Sequence, residues 1–121
     1  MSDVERARRE ARRLASAQGL DRFEVEAVAL AVSELGTNLV RYAIEGELRL
    51  ELCAGPRGSG VRVESCDAGP GIANLEQALQ DGFSTGGGLG SGLPAVRRLM
   101  DEFTISSNPN GTRVVALKWT A

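Results

Sequence analysis

Over the first eighteen residues apolar positions return every three or four places, at Val4, Ala7, Ala11, Leu14 and Ala15, with Arg and Glu filling the gaps. That spacing draws one stripe along an amphipathic helix, capped by Ser2 or Asp3 and ended near Gly19. A second helix is predicted from Arg22 to Ala43, with Phe23, Val25, Val28, Leu35 and Leu39 among its apolar residues. Its middle carries polar residues that a plain core helix would not need. After Gly46 the pattern becomes alternating: Leu48, Leu50 and Leu52 face one way, Arg49 and Glu51 the other. Gly55–Pro56–Arg57–Gly58–Ser59–Gly60 reads as a hairpin loop, and Val61 and Val63, with Arg62 and Glu64 alternating, form the partner strand.

Beyond that hairpin the chain reads as a turn at Asp67–Gly71, a short helix around Asn74–Gln80 and a glycine-dense stretch from Gly82 to Gly92. A helix is predicted from Leu93 to Phe103. Two closing strands follow, Phe103–Ser106 and Thr112–Trp119, joined by a turn at Asn108–Gly111. The order helix, helix, hairpin, loop, helix, hairpin predicts an α+β fold. It is a two-layer α/β sandwich, with helices on one face of a mixed, mostly antiparallel sheet. No repeat or linker interrupts it, and 121 residues suit one domain spanning 1–121.

Composition narrows the function classes. Apolar residues make up 42% of the chain, enough for a core without disulfides or structural metal. A net charge of −2 with mixed signs gives no general pull toward nucleic acid or membrane. The arginine cluster from Arg6 to Arg13 reads as the solvated face of a helix. No apolar run approaches the roughly 20 residues needed to cross a bilayer, and the amino terminus has no signal-peptide core. The expectation is a cytoplasmic protein with neither nucleic-acid nor membrane partners. Cys53 and Cys66 fall in strand-like segments without metal or redox spacing, so ordinary buried thiols are expected. The absence of histidine removes Ser–His–Asp catalysis, His-rich metal sites and a phospho-histidine on this chain.

Three constellations carry chemistry. Glu34, Asn38 and Arg41 are spaced i, i+4 and i+7, so they share one helix face. A carboxylate, an amide and a guanidinium together can orient a nucleophile, ligate a metal and hold a phosphate. Taken alone, they also describe a solvated face closed by an ion pair. Asp67–Ala68–Gly69–Pro70–Gly71 follows a strand directly. Its glycines let backbone approach a flat ligand, and its carboxylate can accept a hydrogen bond from an exocyclic amine. Alone, it is equally a Pro–Gly turn with Asp67 capping its own backbone. Gly82, Gly86, Gly87, Gly88, Gly90 and Gly92 then run straight into a helix with Pro94 in its first turn. Such a loop can offer backbone amides to an anion and fold over it as a lid. It is not a Walker A loop, because no Lys–Ser or Lys–Thr pair ends it.

Taken in order, these motifs resemble the GHKL (Bergerat-fold) ATPase and kinase superfamily across nearly the whole chain. Glu34–Asn38 resembles its N box, Asp67–Gly71 its first glycine box, Gly88–Gly92 its second and Gly111–Thr112 its last. Asp81–Gly82–Phe83–Ser84–Thr85, with the run from Gly92 to Phe103, is similar to the RsbT-type serine/threonine switch kinases of bacterial stress signalling, relatives of the anti-sigma kinases. The resemblance implies ATP and Mg²⁺ as cofactors. It makes Asn38 the Mg²⁺ ligand and Glu34 the general base. It assigns the adenine amine to Asp67, supported by Gly69, Gly71 and Thr112, and the phosphate lid and helix start to Gly88, Gly90, Ser91, Gly92 and Leu93. Arg41 would reach the phosphates and Tyr42 line the nucleotide, as in histidine kinases. The partners implied are a STAS-domain substrate or scaffold of a stressosome-like assembly and a PP2C-type phosphatase, with a homodimer left open.

Two departures stand out. The chain opens directly on a helix where the family usually has a strand, and the lid from Phe83 to Leu93 has no Lys or Arg. Other readings remain at this point: an anti-sigma factor with kinase activity, the ATP-binding domain of a histidine kinase, and a module that binds nucleotide without transferring phosphate.

Overall fold

The computed structural model describes residues 2–42, 46–56, 58–68 and 92–120, with residues 41 and 42 described through their backbone only. The first apolar stripe closes as α1, Asp3–Ala17. The Ser2 hydroxyl caps it by accepting the Glu5 backbone N–H at 3.1 Å. At the other end Gly19 adopts φ +90°, and the N–H groups of Gly19 and Leu20 donate to the carbonyls of Ser16 and Ala15. This is a Schellman ending, and it places Leu20 in the core. The next helix, α2 (Arg22–Tyr42), begins with a reciprocal cap. The Asp21 carboxylate accepts the Glu24 N–H at 2.8 Å, and the Glu24 carboxylate accepts the Asp21 N–H at 2.7 Å.

The two helices run antiparallel. Arg12 donates two hydrogen bonds to Glu26, at 3.0 and 3.1 Å. Further along, Val4 packs against Gly36, where an added Cβ would stand 3.3 Å from Val4 Cγ2. Bare backbone at Gly36 thus sets how closely α1 can lie on α2. Gln18, at the end of α1, donates to the carbonyls of Cys53 and Gly60 at 3.0 and 2.8 Å, tying the helix layer to the sheet.

The sheet is built from β1 (Gly46–Gly55), β2 (Gly58–Asp67), β3 (Glu102–Asn108) and β4 (Gly111–Trp119), in the order β1-β2-β4-β3. All pairings among the described strands are antiparallel, in keeping with the expected α+β fold and its mixed, mostly antiparallel sheet. The first hairpin is tighter than expected, because Gly55 already pairs with Gly58. Val61, Val63, Val114 and Ala116 on the inner face meet Val28, Val32 and Leu35 of α2, with Leu48, Leu50, Phe103 and Ile105 packed at the margin. Leu52 shares that face but stays 51% exposed, since β1 is the sheet edge. Cys53 and Cys66 are free and only half-buried on the opposite face, rather than in the core. Partial burial pushes the Cys53 thiol pKa up.

A third helix, α3 (Leu93–Leu99), is shorter than the predicted Leu93–Phe103. Met100 turns extended, at φ −100° and ψ 155°, and buries its side chain. Lys118 donates to the Leu99 carbonyl at 2.9 Å, while Asp101 accepts the Trp119 N–H at 2.8 Å. Strand β4 therefore captures the chain where helical periodicity alone would have continued.

On the face away from the helices, Glu64 is buried to 7% exposure beneath Arg113 and Arg62. The hydrogen bond from Arg113 comes first among the effects that hold its carboxyl below the usual carboxylate range. A depressed folded pKa gives stability that is present above the unfolded value of about 4.3 and lost as pH falls through the folded one. Glu64→Gln is therefore expected to lower the melting temperature by a few degrees near neutral pH, with the gap to wild type narrowing as the pH falls below the unfolded value in a pH series of melts. Gly111 poses a steric constraint instead. At φ +152°, a Cβ there would stand 2.0 Å from the Asp67 carbonyl oxygen. Gly111→Ala should cost about 2 kcal/mol or more in urea unfolding. Gly19→Ala, strained at φ +90° but with nothing within 4 Å, should cost about 1 kcal/mol.

Candidate nucleotide site

One flank of α2 is committed to the core, with Val28 and Val32 at 0% and Leu35 at 1% exposure. Helical geometry then turns Glu34 and Asn38 toward a neighbouring flank one turn apart, and both are half-buried. The Glu34 carboxylate has no ion-pair partner among the described residues. Arg41 and Tyr42 belong to α2 by their backbone, which keeps Arg41 at i+7 from Glu34, and their side chains lie outside the described residues.

The second part of the site is one end of the sheet. Asp67 closes β2 and stands in register between Gly46 of β1 and Thr112 of β4. The Thr112 hydroxyl is 2.7 Å from the Ser107 hydroxyl on β3. Three strands are thereby brought together at one half-buried carboxylate. Gly46 also receives the end of α2, since its backbone lies so close to Leu39 that an added Cβ would stand 3.0 Å from Leu39 Cδ2. The helix bearing Asn38 is thus held against the strand end bearing Asp67. The absent side chain of Gly46 makes room for Leu39. An open hollow of 370 Å³ lies beside Asp67, lined by Gly46, Glu47, Cys66, Asp67 and Ala68. Glu34, Asn38 and Thr112 lie outside its lining.

The third part is the entry to α3. Gly92 adopts φ +61° and ψ −127°, and Pro94 follows in the first turn. Leu93 is buried in the core, so its backbone alone is left for a ligand. Gly69, Gly71, Gly88, Gly90 and Ser91, with the short helix expected around Asn74–Gln80, lie outside the described residues. Among the described residues no cluster of three or more Cys, Asp or Glu side chains could cage a metal. No described helix is long and apolar enough to cross a membrane.

Sequence reading missed Ser107. The closing strand was expected to stop at Ser106 and the turn to begin at Asn108, which left Ser107 in neither. The Asn108–Gly111 turn pairs Ser107 with Thr112 across the ladder, and a turn of that length implies the pairing once the strand is extended. Gly46 was read only as the point where the pattern changes, with no sign that it makes room for Leu39.

The sequence model of the histidine kinase-like ATPase domain matches residues 1–118. The serine/threonine-protein kinase RsbT of Bacillus subtilis is 40% identical over 118 residues, 97% of this chain and 89% of that protein. An anti-sigma F factor of a Thermoanaerobacter species is 31% identical over 101 residues, 79% of this chain and 71% of that protein. The mycobacterial sensor histidine kinase MprB superposes with a TM-score of 0.61 at 19% identity, covering 96% of this chain and 91% of that one. At that identity the likeness is one of fold. Matched in fold and in sequence over nearly its whole length, the chain belongs to the histidine kinase-like ATPase family, among the RsbT-type serine/threonine kinases that its motifs resemble.

Proposed function

We propose that this chain transfers the γ-phosphoryl group of ATP to a serine or threonine of a partner protein in a cytoplasmic partner-switching pathway. The observation that carries this reading is the Glu34/Asn38 pair, held by α2 against the sheet end that presents Asp67 and Thr112. Asp67 accepts the adenine amine, and Thr112, positioned by Ser107, sits beside it. The open hollow beside Asp67 leaves room for a flat base. The Asn38 amide oxygen suits a hard cation that keeps most of its coordination for phosphate and water. When bound, Mg²⁺ would offset the charge of the phosphates. The acceptor hydroxyl oxygen bonds to the γ-phosphorus as the bond to the ADP oxygen breaks, and Glu34 takes the hydroxyl proton. Transfer of this kind depends on positioning and electrostatics, so no nucleophile on this chain is required. Arg41, Tyr42, Gly69, Gly71, Gly88, Gly90, Ser91 and the backbone of Gly92 and Leu93 complete the nucleotide contacts in this reading.

The acceptor is a STAS-domain substrate or scaffold, and a PP2C-type phosphatase is the second partner. The 40% identity to a protein named as a serine/threonine kinase supports phosphate transfer; the two partners follow from the resemblance of the motifs to RsbT-type switch kinases. A second reading is favoured by the anti-sigma F factor at 31% identity: a kinase that also sequesters a sigma factor. Binding of purified sigma factor, set against binding of a PP2C-type phosphatase, separates the two.

Two variants test the chemistry. Asp67→Asn should abolish Mg-dependent ATP binding in calorimetric titration. Glu34→Ala should bind ATP within about twofold of wild type yet lose roughly 100-fold or more in phosphate transfer to a STAS-domain protein. Unchanged transfer by the Glu34 variant would remove its role as base.

A further inference from the structure

The inner face of the sheet changes from apolar to polar toward the end that carries Asp67. One row across the strands runs Leu48, Ser65, Val114 and Ile105, and the next runs Gly46, Asp67, Thr112 and Ser107. Along β2 the inward positions are therefore Val61, Val63, Ser65 and Asp67. Asp67 and Thr112 belong to the candidate site, and Ser107 meets Thr112 at 2.7 Å. Ser65 has no such role. It is the polar member of a row otherwise made of Leu, Val and Ile, and the valines before it on the strand are at 0% exposure.

Ser65 is 6% exposed, yet among the described residues its hydroxyl has no hydrogen-bond partner. No described side-chain oxygen or nitrogen is both sealed from solvent and unpaired, so this hydroxyl keeps a small opening. A hydroxyl taken out of water without a partner is unfavourable, and buried polar groups are as a rule bonded to protein, ordered water or ligand. Alanine or valine would suit the row better. Strand geometry sets Ser65 on the same side as Asp67, about 7 Å from it. One edge of a flat base, or that edge with one water, spans such an interval. Ser65 stands one row deeper than the open hollow, whose lining includes Asp67 and not Ser65.

An ionised carboxylate only accepts hydrogen bonds, whereas a hydroxyl also donates. Asp67 alone therefore selects an amine and offers nothing to the bare ring nitrogen beside it. We propose that Ser65 is a second base-reading residue: its hydroxyl donates a hydrogen bond, directly or across one water, to the ring nitrogen of adenine next to the amine that Asp67 binds. Together the two side chains match a donor and an acceptor on one edge of the base. The proposal rests on the nucleotide reading above and adds a specificity residue to that site.

The test is calorimetric titration of Mg–ATP and of Mg–1-deaza-ATP, in which that nitrogen is a C–H, into wild type and Ser65→Ala, with a melt of each protein. Ser65→Ala should weaken ATP about fivefold or more, while 1-deaza-ATP should bind the two proteins within about twofold. Without nucleotide the variant should melt at or above the wild-type temperature, because it removes a buried hydroxyl that lacks a partner. Equal losses for both nucleotides, the sign of a purely structural role, overturn the assignment, and so does unchanged affinity for ATP. Asp67→Asn in the same titrations keeps the two readings apart. If it abolishes ATP binding while Ser65→Ala changes nothing, the nucleotide site stands and Ser65 is removed from it. Failure of wild type to bind ATP overturns both.

Discussion

Val28, Val32 and Leu35 project from one flank of α2 onto Val61, Val63, Val114 and Ala116 of the sheet. That contact is the constraint on which the other features depend. A helix pressed along one flank onto a sheet has no freedom to rotate, because turning it would lift fully buried side chains into water at roughly 1.5–3 kcal/mol each. Once that flank is committed, the direction of every other residue on the helix follows. Glu34 and Asn38 share a half-buried flank, Gly36 faces α1, and Phe23, Leu30 and Val40 stay exposed.

Close backbone approaches then set where the ends of these elements meet. Gly36 lets α1 lie against α2, Gly46 lets the end of α2 meet the edge strand, and Gly111 lets β4 begin against the Asp67 carbonyl. The last two converge on the same strand end. Asp67 is therefore flanked by a residue without a side chain on one strand and by a hydroxyl on the other. The outer face of the sheet contributes differently. Its Glu64, Arg62 and Arg113 network covers the strands that carry Asp67 and Thr112 from behind without entering the site.

Much of this was legible along the chain because it depends on local periodicity. Both long helices, the alternating hairpin and the final pair of strands follow from the spacing of apolar residues, and Ser2 and Gly19 bracket α1 as their chemistry implies. The reading failed where a distant partner overrode a local pattern. Helix α3 ends at Leu99 because Lys118 and Trp119, on another strand, engage Leu99 and Asp101. Leu52 fits the alternation yet stays half exposed, since its strand lies at the edge. Cys53 and Cys66 lie on the far face for a local reason, since strand alternation puts them with Arg49, Glu51, Arg62 and Glu64.

By itself the sequence determined which residues could do chemistry and in what order. The i, i+4 spacing of Glu34 and Asn38 and the carboxylate of Asp67 at the end of a strand are local facts, and helical and strand geometry make them unavoidable. Tertiary structure alone decided that Ser107 meets Thr112, that Gly46 admits Leu39, and that the apolar Phe23, Leu30 and Val40 stay outside while Val28 and Leu35 go in. The reason is that hydrophobicity states only that a side chain favours burial. Which flank of α2 is buried depends on the single face that α1, α3 and the sheet can cover together.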